Sequence, residues 1–226
     1  MPIDETGLQT AVERVVRRVL ESNLPAHKSA GAAPPIRRTV SIGVSSRHLH
    51  LQPDHVEALY GRGHKLTKMR DLVQPDQFAS NETVTLIGPL GQLRNVRVLG
   101  PERKQTQIEA SLTDCHTLGI QAPLRLSGDL AGSAPLKIRG PRGLIEIREG
   151  LILARRHLHI HNEEAARYGI KTGDRVRIRT AGSRPVIFED VIVRAGADHR
   201  MEFHLDTDEA NAAGVKNGDL AEIIGG

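Results

Sequence analysis

The 226-residue chain has no tryptophan, and its two tyrosines and three phenylalanines make up 2% of it. A core drawn from this composition must rest on Val, Ile, Leu and Ala. A stacking platform for single-stranded nucleic acid is poorly supplied, so no nucleic-acid partner is expected. Cysteine is nearly absent too: Cys115 stands alone, which excludes an intramolecular disulfide and suits a reducing compartment. No apolar run approaches the ~18 residues that span a bilayer. The N-terminus carries no secretory apolar stretch. A soluble, cytoplasmic protein with no membrane partner is expected. Neither sign of charge is scarce, and the formal net charge is +4. That mild basicity fits a polyanionic ligand, and a solvated basic surface fits it equally well.

What is present divides the chain unevenly. Leu8, Ala11, Val12, Val15, Val16, Val19 and Leu20 recur at the spacing of an amphipathic helix. Asp4 or Thr6 can cap its start and Pro25 stops it. Residues 1–24 are therefore read as an amphipathic helix, and 25–37, around "PAHKSAGAAPP", as a Pro/Ala-rich linker. From about residue 38 the texture changes to short β-branched or alternating segments separated by Gly and Pro, such as "TVSIGVS", "QLRNVRVLG" and "DRVRIRT". Short helices are expected in "QPDHVEALYGR", "HNEEAARYG" and "DTDEANAAG".

A finer repeat underlies this texture. "AARYGIKTGDRVRIR" (165–179) matches "ANAAGVKNGDLAEII" (210–224), while "CHTLGIQAPLRLSG" (115–128) and "EALYGRGHKLTKMRDL" (57–72) look like degenerate copies. Gly173 and Gly218 are placed for positive φ, and Asp174 and Asp219 for backbone hydrogen bonds at a strand start. Two such halves per domain predict small closed barrels without exposed edges. The expected fold class is mainly β: two related small β-barrel domains with short capping helices, 38–140 and 141–226, with strand exchange between them keeping the boundary soft.

The other repetition is chemical. "SRHLHL" (46–51) and "RRHLHIH" (155–161) write Arg-His-Leu-His twice, each time at the end of strand-like sequence. In a strand, residues i and i+2 share a face about 6.5–7 Å apart, so two imidazoles can converge on one metal ion. A lone His-x-His is ordinarily a surface pair; the duplication argues otherwise. Each pair needs a third ligand. In "TQIEASL" the alternation puts Glu109 on the polar face. In "MEFHLD" it puts Glu202, His204 and Asp206 there, and His204 is the natural partner of His157 and His159. His161 lies too far along to join them. Cupins place a Glu a few residues after the pair, whereas Glu57 is too distant; amidohydrolases need a longer chain and a βα repeat.

"VSSRHLHL", "VLGPERKQTQIEASLTD", "LRLSGDLAGS" and "LILARRHLHI" together resemble the PduL-type phosphate acyltransferases (phosphate propanoyltransferases) over roughly 38–224. The resemblance implies two β-barrel domains and a two-metal site, usually zinc. It also implies interconversion of acyl-CoA plus phosphate with acyl phosphate plus CoA. Carried over by motif, His48, His50 and Glu109 hold one divalent ion, His157, His159 and His204 the other, and Arg103 is the catalytic residue that grips phosphate. The sequence departs from the family where His161 replaces the usual Met and where the N-terminus is extended. A homodimer in a bacterial microcompartment lumen is implied, serving propanediol or related aldehyde metabolism, with the N-terminal helix meeting shell or core proteins. Propanoyl-CoA and acetyl-CoA are both candidate substrates. Ser127 adds a hydrogen bond to phosphate or CoA, or else simply shapes a turn; Arg97 meets CoA phosphates, or else is solvated strand charge. Cys115 reads as a small packed hydrophobe rather than an acyl carrier. Two other readings use the same residues: a two-metal phosphoesterase, and a nucleic-acid-binding barrel with structural zinc.

Overall fold

A computed structural model describes residues 38–225; the helix and linker expected over 1–24 and 25–37 lie outside the described residues. Twelve of the fourteen strands among the described residues close into two six-stranded rings. The first ring runs β4 (Phe78–Ile87), β5 (Gln92–Gly100), β2 (His48–His50), β6 (Gln107–Ala110), β9 (Leu144–Ala154) and β8 (Ala134–Arg139), with β8 returning to β4. Two short strands, β3 (Lys68–Asp71) and β7 (Leu124–Arg125), flank it on β4 and β9. The second ring runs β1 (Thr39–Ser45), β13 (Glu202–Asp206), β10 (His157–His161), β12 (Ile187–Gly196), β11 (Arg175–Thr180) and β14 (Leu220–Gly225), closing on β1. Closure leaves neither ring with an open edge.

The two rings share one wiring. Strand β2 is parallel to β5 and antiparallel to β6, as β10 is parallel to β12 and antiparallel to β13. Strand β9 lies parallel to β6, as β1 lies parallel to β13. The exchange is reciprocal: β1 belongs to the second barrel, and β9 belongs to the first. Sheet membership therefore does not divide at residue 140. Each parallel neighbour is supplied by the strand just before the other barrel's His pair, so the chain changes barrels twice, at 46–47 and at 155–156.

Among the described residues four short helices cap the rings: α1 (Pro53–Tyr60), α2 (Leu112–Leu118), α3 (Asn162–Tyr168) and α4 (Thr207–Ala213). Helix α2 falls at the start of the degenerate copy around Cys115. It ends as α3 and α4 do, on a left-handed glycine: Gly119, Gly169 and Gly214 have φ of 70, 67 and 65°. The next residue closes each turn, with Ile120, Ile170 and Val215 donating to carbonyls five residues back at 3.0 Å. Each barrel has its own apolar core, one gathered around Leu49, Leu86, Val98 and Ile108, the other around Ile42, Leu158, Val193 and Phe203. The middle residue of each His-Leu-His, Leu49 or Leu158, is wholly buried in its barrel. Burying such a leucine stabilises by about 1.5–3 kcal/mol, and strand alternation then turns both flanking histidines to the opposite face.

Candidate functional site

The wiring sets the ligand geometry. Antiparallel register places His48 opposite Glu109 and His157 opposite His204. His48 Nε2 lies 3.7 Å from Glu109 Oε2, and the His48 and His50 rings meet edge-on at 5.4 Å. In the second barrel His157 Nε2 and His159 Nε2 are 3.1 Å apart. The His204 ring is 5.0 Å from that of His157 and 4.9 Å from that of His159. One ligand atom from each of these three falls within 4.8 Å of the others. The first histidine of each pair is oriented identically: Nδ1–H of His48 donates to Ser46 O and that of His157 to Arg155 O, both at 2.9 Å. That tautomer leaves the Nε2 lone pair free. The second histidine of each pair, His50 or His159, keeps a buried Nδ1 with no hydrogen-bond partner.

His157, His159 and His204 fit a divalent metal, whereas the ligand atoms of His48, His50 and Glu109 do not all come within 4.8 Å of one another. Zn–N bonds of about 2.0 Å in a tetrahedron put neighbouring nitrogens about 3.3 Å apart, close to the 3.1 Å between His157 and His159. The protonation states fit as well. Burial, then Arg103 and His48, pushes His50 down to about 2. Burial, then His157, His204 and Arg194, pushes His159 down to about 2. Burial, then His204, takes His157 to about 4. All three are neutral imidazoles near pH 7, the state a metal requires. Burial alone would raise the Glu109 carboxyl, but His48, the Ser127 hydroxyl, His157 and Arg103 together outweigh it and hold it below the usual range.

The barrels meet at this point. Glu109 and Ala110 from the first barrel line one cavity with His157, His204 and Asp206 from the second. Thr113 N donates to Asp208 Oδ2 at 2.8 Å. Gln74, on the loop between β3 and β4, donates to Arg200 O at 3.0 Å and reaches Glu202 at 3.4 Å. Two guanidiniums, Arg103 and Arg194, lie within electrostatic reach of Glu109. Burial lowers Arg103, Glu109 opposes that, and Arg194 lowers it further; burial likewise lowers Arg194, with Glu109 opposing. Two partly desolvated cations near a single carboxylate leave positive charge for an anion to neutralise.

The remaining sequence candidates sort as follows. Ser127 Oγ accepts from Gln107 Nε2 at 2.8 Å and from Arg103 Nη1 at 3.4 Å, so it joins the site. Arg97 lies opposite His48 across β5, but its Nη1 is taken by Ser80 O and Asn81 O at 2.9 Å each. His161 is the N-cap of α3 and accepts from Glu163 N. Cys115 is buried, and burial raises its thiol to about 11. Sequence reasoning missed Gln107, which donates to Glu109 Oε1 at 2.6 Å, and Arg194. It put Glu202 on the polar face without a role; Glu202 is buried and accepts from His204 Nε2 at 2.5 Å. The one signal for Arg194 was a charge inside the apolar run "VIVRAG". His199, whose ring meets His159 at 4.5 Å, had none. Gly43 is required by contact: a Cβ there would sit 2.8 Å from Glu202 Cδ and 2.9 Å from His204 Cδ2.

Two like-wired β-barrels that bring neutral histidines, an ionised carboxylate and two arginines to one seam form the frame of an enzyme for an anionic substrate. Comparison with known proteins makes this specific. The family model described as Phosphate propanoyltransferase matches residues 41–216. A protein named Phosphate propanoyltransferase from Thermotoga maritima is 48% identical over 186 residues, 82% of this chain and 89% of its own length. One of the same name from Lachnoclostridium phytofermentans is 44% identical over 214 residues, 94% of this chain and 98% of its own. A third, from Rhodobacter capsulatus, is 42% identical over 215 residues, 95% and 97% of the two chains. The chain belongs to the phosphate propanoyltransferase family and is an acyltransferase. No helix among the described residues is long and apolar enough to cross a membrane.

Proposed function

We propose that the chain exchanges an acyl group between coenzyme A and phosphate at a two-metal site, with propanoyl-CoA or acetyl-CoA as the thioester. His48, His50 and Glu109 would hold one divalent ion, and His157, His159 and His204 the other, zinc being the ion that this donor set suits. Such ions supply Lewis acidity to a thioester carbonyl and to phosphate oxygens. The observation that carries the reading is the convergence of His157, His159 and His204, two of which share a cavity with Glu109 of the first barrel, with Arg103 and Arg194 in electrostatic reach of that carboxylate.

The protein's own groups then do the following. Arg103 and Arg194 bind phosphate, each guanidinium offering paired donors to its oxygens. Gln107 orients Glu109 from one side and the Ser127–Gly128 turn from the other, with Gly128 N donating to Gln107 Oε1 at 2.8 Å. A phosphate oxygen so held attacks the thioester carbon, the C–S bond breaks, and the phosphate proton ends on the CoA sulfur. Transfer is direct, because the lone thiol, Cys115, is buried and stays protonated well above neutral pH. Residues 1–24 act as an address to microcompartment shell or core proteins in the lumen, and the working unit is a homodimer.

The test is elemental analysis of the purified protein beside a CoA-release assay with acetyl-CoA and propanoyl-CoA, with and without phosphate. Phosphate-dependent release at about two metals per chain supports the reading. Phosphoester hydrolysis without CoA release, or full activity in metal-free protein, overturns it.

A further inference from the structure

The histidines of Arg-His-Leu-His are absorbed by the site, but the arginine is not. In both copies it stands on the two-residue passage between barrels: Arg47 between β1 and β2, Arg156 between β9 and β10. Arg47 Nη2 pairs with Asp114 Oδ1 at 2.8 Å, and Arg156 Nη1 with Glu209 Oε1 at 2.7 Å. Both acids occupy the third position of the helix that succeeds the third-ligand strand, Asp114 in α2 and Glu209 in α4. Their second oxygens are also used alike. Asp114 Oδ2 accepts from Ser111 N at 3.2 Å, and Glu209 Oε2 accepts from Asp206 N at 3.1 Å. Ser111 lies two residues after Glu109, and Asp206 two residues after His204. One carboxylate in each barrel thus bridges the arginine beside the His pair to the backbone just beyond the third ligand.

The other end of the bridge is as specific. The peptide preceding each arginine carries the carbonyl that accepts from the first histidine, Ser46 O for His48 and Arg155 O for His157. Holding the arginine side chain holds that peptide plane, and the plane selects the Nδ1–H tautomer that leaves Nε2 free. We propose that Arg47 and Arg156 are positioning residues, each clamping the His-pair strand to the third-ligand strand and setting the tautomer of His48 and His157. The acids differ between copies, Asp against Glu, as do the N-caps, Ser against Asp, yet every bond of the bridge is repeated. A partly exposed ion pair kept for stability alone contributes about 0–1 kcal/mol and needs no such repetition.

The consequence for metal binding rests on the two-metal reading; the consequence for the tautomer does not. In metal-free full-length protein at pH 8, ring-nitrogen NMR should show His48 and His157 as Nδ1–H. Arg47→Met should mix the tautomers of His48 only, and Arg156→Met those of His157 only. In chelator competition with zinc, each Met variant should weaken one site by about tenfold to a hundredfold and leave the other within about threefold, while Arg47→Lys keeps its site within about threefold. Unchanged tautomers and affinities in the Met variants overturn the clamp, as does an Arg47→Lys variant no better than Arg47→Met. If a Met variant does not fold, Arg47→Gln and Arg156→Gln against the Lys variants carry the same comparison. Wild-type protein that binds no metal overturns the two-metal reading instead, and the tautomer measurement still decides the clamp.

Discussion

Acid should unfold the metal-free protein through its histidines before its carboxylates. His50, His157 and His159 have an ordinary value of 6.5 and are held down to about 2, about 4 and about 2 in the fold, burial leading each time. A histidine with a lowered folded value stabilises fully above 6.5 and loses that contribution as pH falls from 6.5 toward the folded value. At pH 5 none of the three folded values has been reached, so each loses about 1.5 pH units' worth, about 2 kcal/mol, and together about 6 kcal/mol. That is of the order of a whole domain's stability, about 5–15 kcal/mol. Glu82 and Glu109 are held below the carboxylate range, so their contributions are lost in a lower window, beginning near pH 4.5. Urea unfolding of chelator-treated protein at pH 7.5 and pH 5.0 measures the difference, and His159→Gln should reduce it by about 2 kcal/mol. A wild-type stability that stays flat across this interval, or an equal acid loss in His159→Gln, refutes the reasoning.

Four further outcomes follow from the same geometry. His48→Ala or His159→Ala should lower the metal count from about two per chain toward one and abolish turnover, read by elemental analysis and CoA release. Cys115→Ala should keep most activity, and intact mass after mixing with acyl-CoA alone should show no acyl adduct; ping-pong kinetics would contradict it. Arg194→Met should raise the phosphate KM by about tenfold or more while leaving the acyl-CoA KM within about twofold, since a charge-assisted bond to an anion contributes about 1.5–3 kcal/mol. Gly43→Ala brings a methyl within 2.8 Å of Glu202 and 2.9 Å of His204, so it should weaken metal binding at the second site while sparing the first, checked by chelator competition on each.

What was legible in the sequence was whatever recurred locally. Period-two alternation, the Gly-Asp turns and the doubled His-Leu-His carried the β class, the closed barrels and the strand faces of His48, His50, His157 and His159. The Gly-Asp reading holds in detail: Gly173 and Gly218 have φ of 91 and 84°, and Asp174 and Asp219 accept from Lys171 N and Lys216 N. What was not legible was set by register across distant segments. Nothing local in "TVSIGVS" says that it pairs with residues 203–206 rather than with its own neighbours. Arg194 faces His159 only because β12 lies parallel to β10. The reciprocal placement of β1 and β9 is the part that a linear division at 140 cannot express.

The shared wiring also accounts for how the two candidate ligand sets differ. Register makes Glu109 the counterpart of His204 and Gln107 the counterpart of Glu202, because they face His48, His157, His50 and His159 in turn. The first barrel thus writes Gln-x-Glu where the second writes Glu-x-His. Each keeps one buried carboxylate on that strand, moved by one alternation step. In the first barrel the carboxylate stands opposite the leading histidine and takes a hydrogen bond from Gln107. In the second it stands beside His204 and takes that ring's hydrogen bond. Of the two carboxylates, Glu109 is the one whose charge opposes the lowering of Arg103 and Arg194 by burial. Glu202→Gln should accordingly loosen His204 and the Gln74 contact while sparing His48, His50 and Glu109, read by chelator competition at each candidate site.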